Sequence, residues 1–168
     1  MTKMLESMMQ EFQEEAATTK RVLDRVPGGK LSWKPHAKSM SLGQLALHVA
    51  SIPGNLTKLT QLEEFDASQA NFNPPEPKDL GEIHSALEES VRSAGEYLSG
   101  MDEKRAGANW RLKIGSRELF CRPRIAVIRS IMLNHWFHHR GQLSVYLRLL
   151  DVPVPVIYGR SADENPFA

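Results

Sequence analysis

The stretch Asn134 to Gln142, NHWFHHRGQ, places three histidines within five positions. They are half of the six histidines in the chain, and apolar sequence flanks the stretch on both sides. The segment around it, from about Arg124 to Leu150, has the strongest helical periodicity in the sequence, and Pro123 stands where a proline can open a helix. This segment predicts a long helix whose histidines are metal ligands, acid–base groups or polar residues on a wet face.

The direction in which these histidines point follows from a helical step of about 100° per residue. With His135 at zero, His139 lies at about +40°, inside the apolar stripe, and His138 lies at about −60°, at its edge. The stripe is defined by Ile128, Ile131, Met132, Tyr146, Leu149 and Leu150. We therefore expect His135 and His139 to face the core together, at the spacing that lets two imidazoles on one helix reach a single ion.

A third candidate ligand, His48, lies in the apolar segment LGQLALHVASI. The inward face of this segment is marked by Leu45, Val49 and Ile52. An imidazole beside that face needs a polar partner, and a catalytic zinc-like site has three protein ligands and an open position. The pattern favours a metal site made by His48, His135 and His139, and a hydrogen-bonded core network of the same side chains stays open as the alternative.

Three further helices are predicted outside the histidine-rich segment. The first runs from about Thr2 to Arg25, and its methionines are expected to pack in the core or in a dimer. The second begins after Ser41, a good N-cap, and Pro53 should kink or interrupt it. The third runs from about Asp79 to Ser99, with its apolar residues on one side.

The connections between these helices complete the predicted architecture. A proline-rich crossover, NFNPPEPK from Asn71 to Lys78, joins the second helix to the third. The alternating stretch NWRLKIGSRELF, from Asn109 to Phe120, predicts a small β-hairpin before the fourth helix. The chain is therefore expected to be one all-α domain, residues 1–168, folded as a four-helix bundle with its ligand site among side chains of facing helices.

Composition excludes several classes of partner. The chain has 21 Lys and Arg against 20 Asp and Glu, so charge gives no reason to expect nucleic acid or an acidic membrane. A single cysteine, Cys121, excludes an internal disulfide framework and suits a reducing cytosol. The longest stretch without a charged residue, Ser39 to Thr57, is too polar for a membrane span. We expect a soluble cytoplasmic protein that acts on a small molecule.

Two blocks of the chain resemble a known family. The segment RSIMLNHWFHHRGQLSVYLRLLDVPVPVIYGRSADE, from Arg129 to Glu164, is similar to the DinB/YfiT-like superfamily, and its NHxxHHRGQ block is specific. The segment SWKPHAKSMSLGQLALHVA, from Ser32 to Ala50, supports the same resemblance. The similarity extends over essentially the whole chain.

The resemblance to this superfamily implies a fold, an oligomeric state and a metal site. It implies an up-down-down-up bundle, a homodimer, and one divalent metal ion on His48, His135 and His139. Zn or Ni is expected first, then Fe or Mn. More than one metal stays possible because imidazole ligands do not select a single transition metal. Some relatives are S-transferases or isomerases that use a low-molecular-weight thiol such as bacillithiol or mycothiol. Three neutral imidazoles favour an anionic fourth ligand, and hydroxide or thiolate would be a nucleophile at neutral pH.

No side chain is assigned a catalytic role from the sequence. Four residues near the histidines either orient ligands and substrate or meet solvent: Asn134, His138, Arg140 and Gln142. Among these, Arg140 lies at about 140° from His135, away from the predicted stripe, and is expected to be structural. Tail residues either close over the pocket mouth or pin the C-terminus: Tyr158, Arg160 and Asp163. Cys121 is expected to be a plain loop or buried thiol.

Two interpretations compete with a metal-dependent transferase or hydrolase. One is a non-catalytic metal- or ligand-binding helical bundle with a role in stress response. The other is a polar core network of histidines without a metal ion. An enzyme needs an open coordination position and a pocket, whereas a sensor or a core network needs neither.

Overall fold

The computed structural model describes residues 3–71 and 73–167, which form a mostly helical fold with a small three-stranded sheet. The described residues contain six α-helices: α1 (Lys3–Leu23), α2 (Leu42–Gln61), α3 (Leu80–Ser99), α4 (Glu103–Gly107), α5 (Arg124–Val127) and α6 (Asn134–Leu149). The strands are β1 (Glu64–Asp66), β2 (Asn109–Ile114) and β3 (Arg117–Pro123). Short 3₁₀ turns cover Gly28–Lys30 and Ala67–Gln69. Thr2, the predicted start of the first helix, and Phe72, in the predicted crossover, lie outside the described residues.

The long helices share one apolar core. Helix α2 packs along α3 and against α6, and α1 packs against α2, α3 and α6. Phe12 of α1 stacks on Trp136 of α6 with ring centroids 5.8 Å apart, and both side chains are buried. Among residues 3–71 and 73–167, none of the helices combines the length and the apolar character of a membrane span.

The predicted fourth helix is not uniform. Helices α5 and α6 are joined by a π-helical stretch, Ile128–Leu133, so that the chain stays helical from Arg124 to Leu149. Hydrogen bonds in a π-helix span five residues instead of four. A constant step of about 100° therefore does not carry across this stretch.

Pro53 was predicted to kink or interrupt the second helix; the interruption is wrong, since α2 runs unbroken from Leu42 to Gln61. Proline has no backbone N–H, so the carbonyl four residues earlier, that of Val49, loses its helical donor. The indole N–H of Trp136 donates to this carbonyl at 2.8 Å. A neighbouring helix thus satisfies the group that the proline leaves unpaired.

Gly54 lies at a close contact between α2 and α3. Its N–H donates to the Ser90 hydroxyl at 2.8 Å, and a Cβ at this position would lie 2.9 Å from Ser90 Cα. Only glycine allows the two backbones to come this close.

The sheet confirms the predicted hairpin and adds a strand. Strands β2 and β3 are antiparallel neighbours, and the turn between them contains Gly115 at a φ of 57°. Strand β1, which the sequence analysis did not predict, pairs in parallel with β2. Three residues alone carry too little periodicity to be recognised as a strand.

Buried polar side chains close the C-terminal end of α2. Arg124, 1% exposed, donates from Nε to the Thr60 carbonyl at 2.6 Å, and the Tyr97 hydroxyl donates to the same carbonyl at 3.0 Å. The Trp110 indole donates to the Leu59 carbonyl at 3.1 Å. The last carbonyls of a helix have no partner within it, and these donors supply one.

The start of α2 is fastened to the crossover. The predicted N-cap Ser41 is confirmed: its hydroxyl accepts the Gln44 N–H at 3.0 Å, and the Gln44 carboxamide accepts the Ser41 N–H at 2.9 Å. The Ser41 hydroxyl also donates to Glu76 at 2.7 Å, and Gln44 Nε2 donates to the Pro74 carbonyl at 3.1 Å. The crossover therefore lies beside the helix that carries His48.

Candidate metal centre

The structure brings together the three histidines that the sequence singles out. His48 on α2 and His135 and His139 on α6 each offer one ring nitrogen, and these atoms lie within 4.8 Å of one another. Nε2 of His48 lies 3.3 Å from Nε2 of His135. The ring centroid of His139 is 4.5 Å from that of each of the other two. The described part of the chain thus contains a compact group of three imidazoles.

The separation of two nitrogens in this cluster fits a single metal ion. Two nitrogens that each lie about 2.0–2.1 Å from one tetrahedral ion are roughly 3.3 Å apart. The same separation joins Nε2 of His48 to Nε2 of His135. The cluster could therefore hold a transition metal through imidazole nitrogens, with at least one coordination position left for another ligand.

Gln142 orients the third imidazole. Nδ1 of His139 lies 2.7 Å from the carboxamide oxygen of Gln142, which can only accept a hydrogen bond. Nδ1 therefore carries the ring proton, and Nε2 keeps the lone pair that a metal ion requires.

All three imidazoles are held in the neutral form. Burial, followed by the charges of His139 and His135, lowers the pKa of His48 from 6.5 to about 4. Burial, followed by His139 and His138, likewise lowers the pKa of His135 to about 4. Burial also lowers the pKa of His139, although the hydrogen bond to Gln142 opposes the shift. Neutral imidazole is the form that binds metal ions.

The histidines lie at the edge of the buried face of α6 and not at its centre. The fully buried residues of this helix are Trp136, Arg140, Leu143 and Leu147, a stripe centred at about 110° from His135. Leu149, a member of the predicted stripe, is 57% exposed. The predicted phase is wrong because the stripe counted Tyr146, Leu149 and Leu150, which are partly buried or exposed, and left out the buried residues of this helix. The relation between His135 and His139 is unaffected, since both lie within α6.

A cleft of about 310 Å³ opens beside His48, between α2 and the crossover. The helix contributes His48, Ser51 and Asn55 to its wall, and the crossover contributes Asn71, Asn73 and Pro74. None of the described residues that line the cleft carries an acidic or strongly basic side chain. A small molecule could approach the histidines from this side.

Comparison with known proteins places the chain in a family. The model described as DinB family matches residues 1–165. The chain belongs to the DinB family. It is 23% identical over 164 residues to the uncharacterized protein YrdA of Bacillus subtilis (strain 168), a match that covers 95% of this chain and 91% of that protein.

Two solved structures of DinB-like proteins share the fold. The protein from Bacillus cereus ATCC 10987 aligns with a TM-score of 0.72 and 23% identity, over 91% of this chain and 97% of its own. The protein YjoA from Bacillus subtilis aligns with a TM-score of 0.69 and 17% identity, over 92% and 99%. At these identities the two structures support the DinB-like fold alone.

Arg140 of this DinB-family chain is structural, as expected, but it lies on the buried face of α6 and not away from it. Its guanidinium is 1% exposed and pairs with the Glu15 carboxylate at 2.5 Å. It also donates to Thr19 Oγ1 at 3.1 Å and to the Tyr158 hydroxyl. Arg140 thus ties α6 to α1 and to the C-terminal tail.

The remaining candidates lie away from the cleft. Asn134 accepts from Arg129 at 2.9 Å, and His138 is exposed with its ring centroid 4.9 Å from that of His139. Asp163 pairs with Arg148 and accepts the Val154 N–H at 2.8 Å. Asp163 and Tyr158 therefore pin the tail to the helices. Cys121 is exposed on β3, so the prediction of a loop or buried thiol is wrong.

Proposed function

We propose that this chain is a metal-dependent enzyme of the DinB family in which His48, His135 and His139 hold one divalent transition metal ion. The observation that carries the proposal is the convergence of three neutral imidazoles at a separation of 3.3 Å between two of their nitrogens. Zn or Ni is the first expectation, then Fe or Mn, since an all-imidazole set accepts each of them.

The cleft favours catalysis over a closed structural site. Structural zinc sites are saturated by protein ligands, whereas catalytic sites leave a position for water or substrate. When bound, the ion would supply Lewis acidity and would lower the pKa of a water or thiol that reaches it. The three histidines hold the ion, Gln142 fixes the tautomer of His139, and the cleft beside His48 admits the substrate.

The reaction class that we propose is transfer of a low-molecular-weight thiol to a small electrophile, with metal-assisted hydrolysis as the related alternative. The support is the similarity of the NHxxHHRGQ block to a superfamily that contains thiol S-transferases. The near-neutral charge balance, 21 basic against 20 acidic residues, agrees with a small-molecule substrate.

We further propose a single domain, residues 1–168, whose four long helical segments form an up-down-down-up bundle that dimerises. Packing of these segments around one core supports the bundle. An apolar depression of about 410 Å³ at the start of α1, where Met4 is 55% exposed, supports a dimer contact. Sedimentation analysis of the purified protein tests the dimer. A cytoplasmic location is proposed from the single cysteine.

The experiment that tests the metal site is elemental mass spectrometry of protein purified without a histidine tag. We expect about one equivalent of a transition metal per chain, and its loss in the variant His135→Ala/His139→Ala. The variant His36→Ala/His84→Ala removes two histidines outside the cluster and should keep the metal. Absence of metal, together with no uptake of added Zn or Ni, would leave a polar core network as the explanation.

A further inference from the structure

Charge is unevenly distributed along this chain, although the totals nearly balance. Residues 25–62 contain no Asp or Glu, so all 20 acidic residues lie outside this stretch. The basic residues of the stretch are Arg25, Lys30, Lys34, Lys38 and Lys58. Three of them lie in the segment 28–41, which leads from α1 into α2 and is called the basic loop below.

The three lysines of the basic loop are exposed and unpaired. Among residues 3–71 and 73–167, no carboxylate pairs with the ammonium group of Lys30, Lys34 or Lys38, and none of these groups donates a hydrogen bond. Arg25, by contrast, pairs with Glu164 at 2.5 Å. Like charges without acidic neighbours repel one another, so an acidic partner would stabilise their arrangement.

Acidic side chains beside the basic loop are engaged elsewhere. Glu76 of the crossover accepts the Ser41 hydroxyl at 2.7 Å. At the start of α3, Asp79 accepts the Glu82 N–H at 2.9 Å, and Glu82 accepts the Lys78 N–H at 2.8 Å. These carboxylates form no ion pair with the lysines of the basic loop.

The backbone of the basic loop is held in place. The Leu42 N–H donates to the Trp33 carbonyl at 2.8 Å. The Trp33 ring meets the Tyr146 ring of α6 edge to face, with centroids 5.6 Å apart, and the Tyr146 hydroxyl donates to the Met40 carbonyl at 3.2 Å. A partner therefore meets the lysines on a preformed backbone, and its binding has to order only their side chains.

The chemistry of the basic loop favours one class of partner. None of its residues is among the large apolar side chains exposed on the described surface, so it lacks the apolar anchor of a membrane-binding segment. It contains no arginine, the residue that recognises phosphate and guanine through two hydrogen bonds. The ammonium groups of lysines are point charges, and separate point charges suit the separate carboxylates of Asp and Glu side chains.

We propose that the basic loop binds an acidic segment of a protein partner, in which carboxylates lie against Lys30, Lys34 and Lys38. The segment is rich in Asp or Glu, and it docks where Ser41 caps the helix that carries His48. Exposed ion pairs are individually weak and are screened by salt, so the contact is transient and depends on ionic strength. No metal ion in the histidine cluster is needed for this contact.

The test uses a fluorescein-labelled oligoglutamate peptide, titrated with the full chain and followed by fluorescence anisotropy. We expect binding at low ionic strength that weakens as salt is added. The variant Lys30→Gln/Lys34→Gln/Lys38→Gln should bind the peptide about tenfold more weakly, because three exposed ion pairs are lost. Circular dichroism checks that the variant is folded.

A second triple variant, Lys3→Gln/Lys58→Gln/Lys104→Gln, is the control matched in net charge. Its three lysines are exposed and lie on α1, α2 and α4. This variant should keep the affinity of the parent, because the basic loop is intact. Equal losses of affinity in both triple variants would overturn the proposal, since net charge alone would then explain the binding.

Two other probes test the class of partner at the same ionic strength: vesicles that contain phosphatidylserine, and single-stranded DNA. Tighter binding of either probe than of the peptide would overturn the choice of an acidic protein segment, and so would the absence of peptide binding at low ionic strength. A loss confined to the basic-loop variant, with the peptide preferred over both probes, supports the proposal. The metal site is tested separately, by elemental analysis.

Discussion

Gln142 shows how a single residue outside the histidine cluster can orient one of its imidazoles. Its carboxamide oxygen lies 2.7 Å from Nδ1 of His139 and fixes which ring nitrogen is free. Replacement by leucine removes the acceptor, and we expect metal affinity to fall about 10- to 100-fold. Gln142→Glu keeps an acceptor and should retain most of the affinity. Competition with a chromophoric chelator measures both variants, and equal affinity for Gln142→Leu would show that the hydrogen bond has no such role.

We expect the neutral histidines to make the metal-free protein less stable in acid. The reference pKa of His48 and His135 is 6.5, whereas in the folded protein burial and neighbouring histidines lower it to about 4. Between these values the unfolded chain binds more protons, so the free energy of unfolding falls as the pH drops from about 6.5 towards about 4. Urea unfolding at several pH values in the presence of a chelator measures this slope.

Two variants test whether His48 and His135 cause this dependence of the unfolding free energy on pH. We expect His48→Gln/His135→Gln to flatten the dependence of the unfolding free energy on pH, because the two shifted groups are gone. The variant His36→Gln, at an exposed position outside the cluster, should keep the parent slope. Identical slopes in all three proteins would mean that other groups cause the acid sensitivity.

At the scale of elements, the contact between α2 and α3 depends on Gly54. A methyl group there would meet the Ser90 backbone at 2.9 Å, and relief of such a clash costs about 1–3 kcal/mol. Gly54→Ala should therefore lower the melting temperature, even though alanine favours a helix. Gly95→Ala is the control, since its Cβ would lie 3.8 Å from Phe12 Cε1, an ordinary contact. Helix propensity alone should leave that variant unchanged or slightly more stable.

The elements also show what sequence reasoning can reach. Helical periodicity located the long helices, alternation located the β2–β3 hairpin, and the spacing of His135 and His139 was preserved because both lie in one regular helix. The π-helical stretch was not predicted, because an analysis of periodicity assumes a constant rotation per residue along the helix. The unbroken helix at Pro53 was not predicted either, because Trp136, which donates to the carbonyl that Pro53 leaves unpaired, is remote in the chain.

Buried arginines could not be foreseen for a related reason. Arg124 and Arg140 are each 1% exposed, although arginine is usually a surface residue. Their partners lie on other elements: carbonyls at the end of α2 for Arg124, and Glu15 of α1 for Arg140. No local pattern records such long-range pairs, so their burial becomes visible only in three dimensions.

For the whole molecule, Arg140 joins three separate parts of the chain. It pairs with Glu15 on α1 and with Tyr158 in the tail, and burial raises the pKa of that tyrosine. Arg140→Ala would remove the ion-pair partner of the Glu15 carboxylate, a change that typically costs about 3–5 kcal/mol. Arg92→Ala, which removes two exposed ion pairs on α3, should have little effect. Urea unfolding compares the two, and a small loss for Arg140→Ala would argue against a structural role.

Pro53 influences the geometry of the histidine cluster, although it is not one of the three histidines. Val49 directly follows His48 and Trp136 directly follows His135, and the members of both pairs are 87 positions apart. The hydrogen bond from the Trp136 indole to the Val49 carbonyl therefore helps to set the distance between the backbones of α2 and α6 beside the imidazoles. The Val49 carbonyl is free to accept this bond because Pro53, one turn further along α2, has no backbone N–H. The spacing of the three imidazoles thus depends partly on Pro53, a residue without a polar side chain.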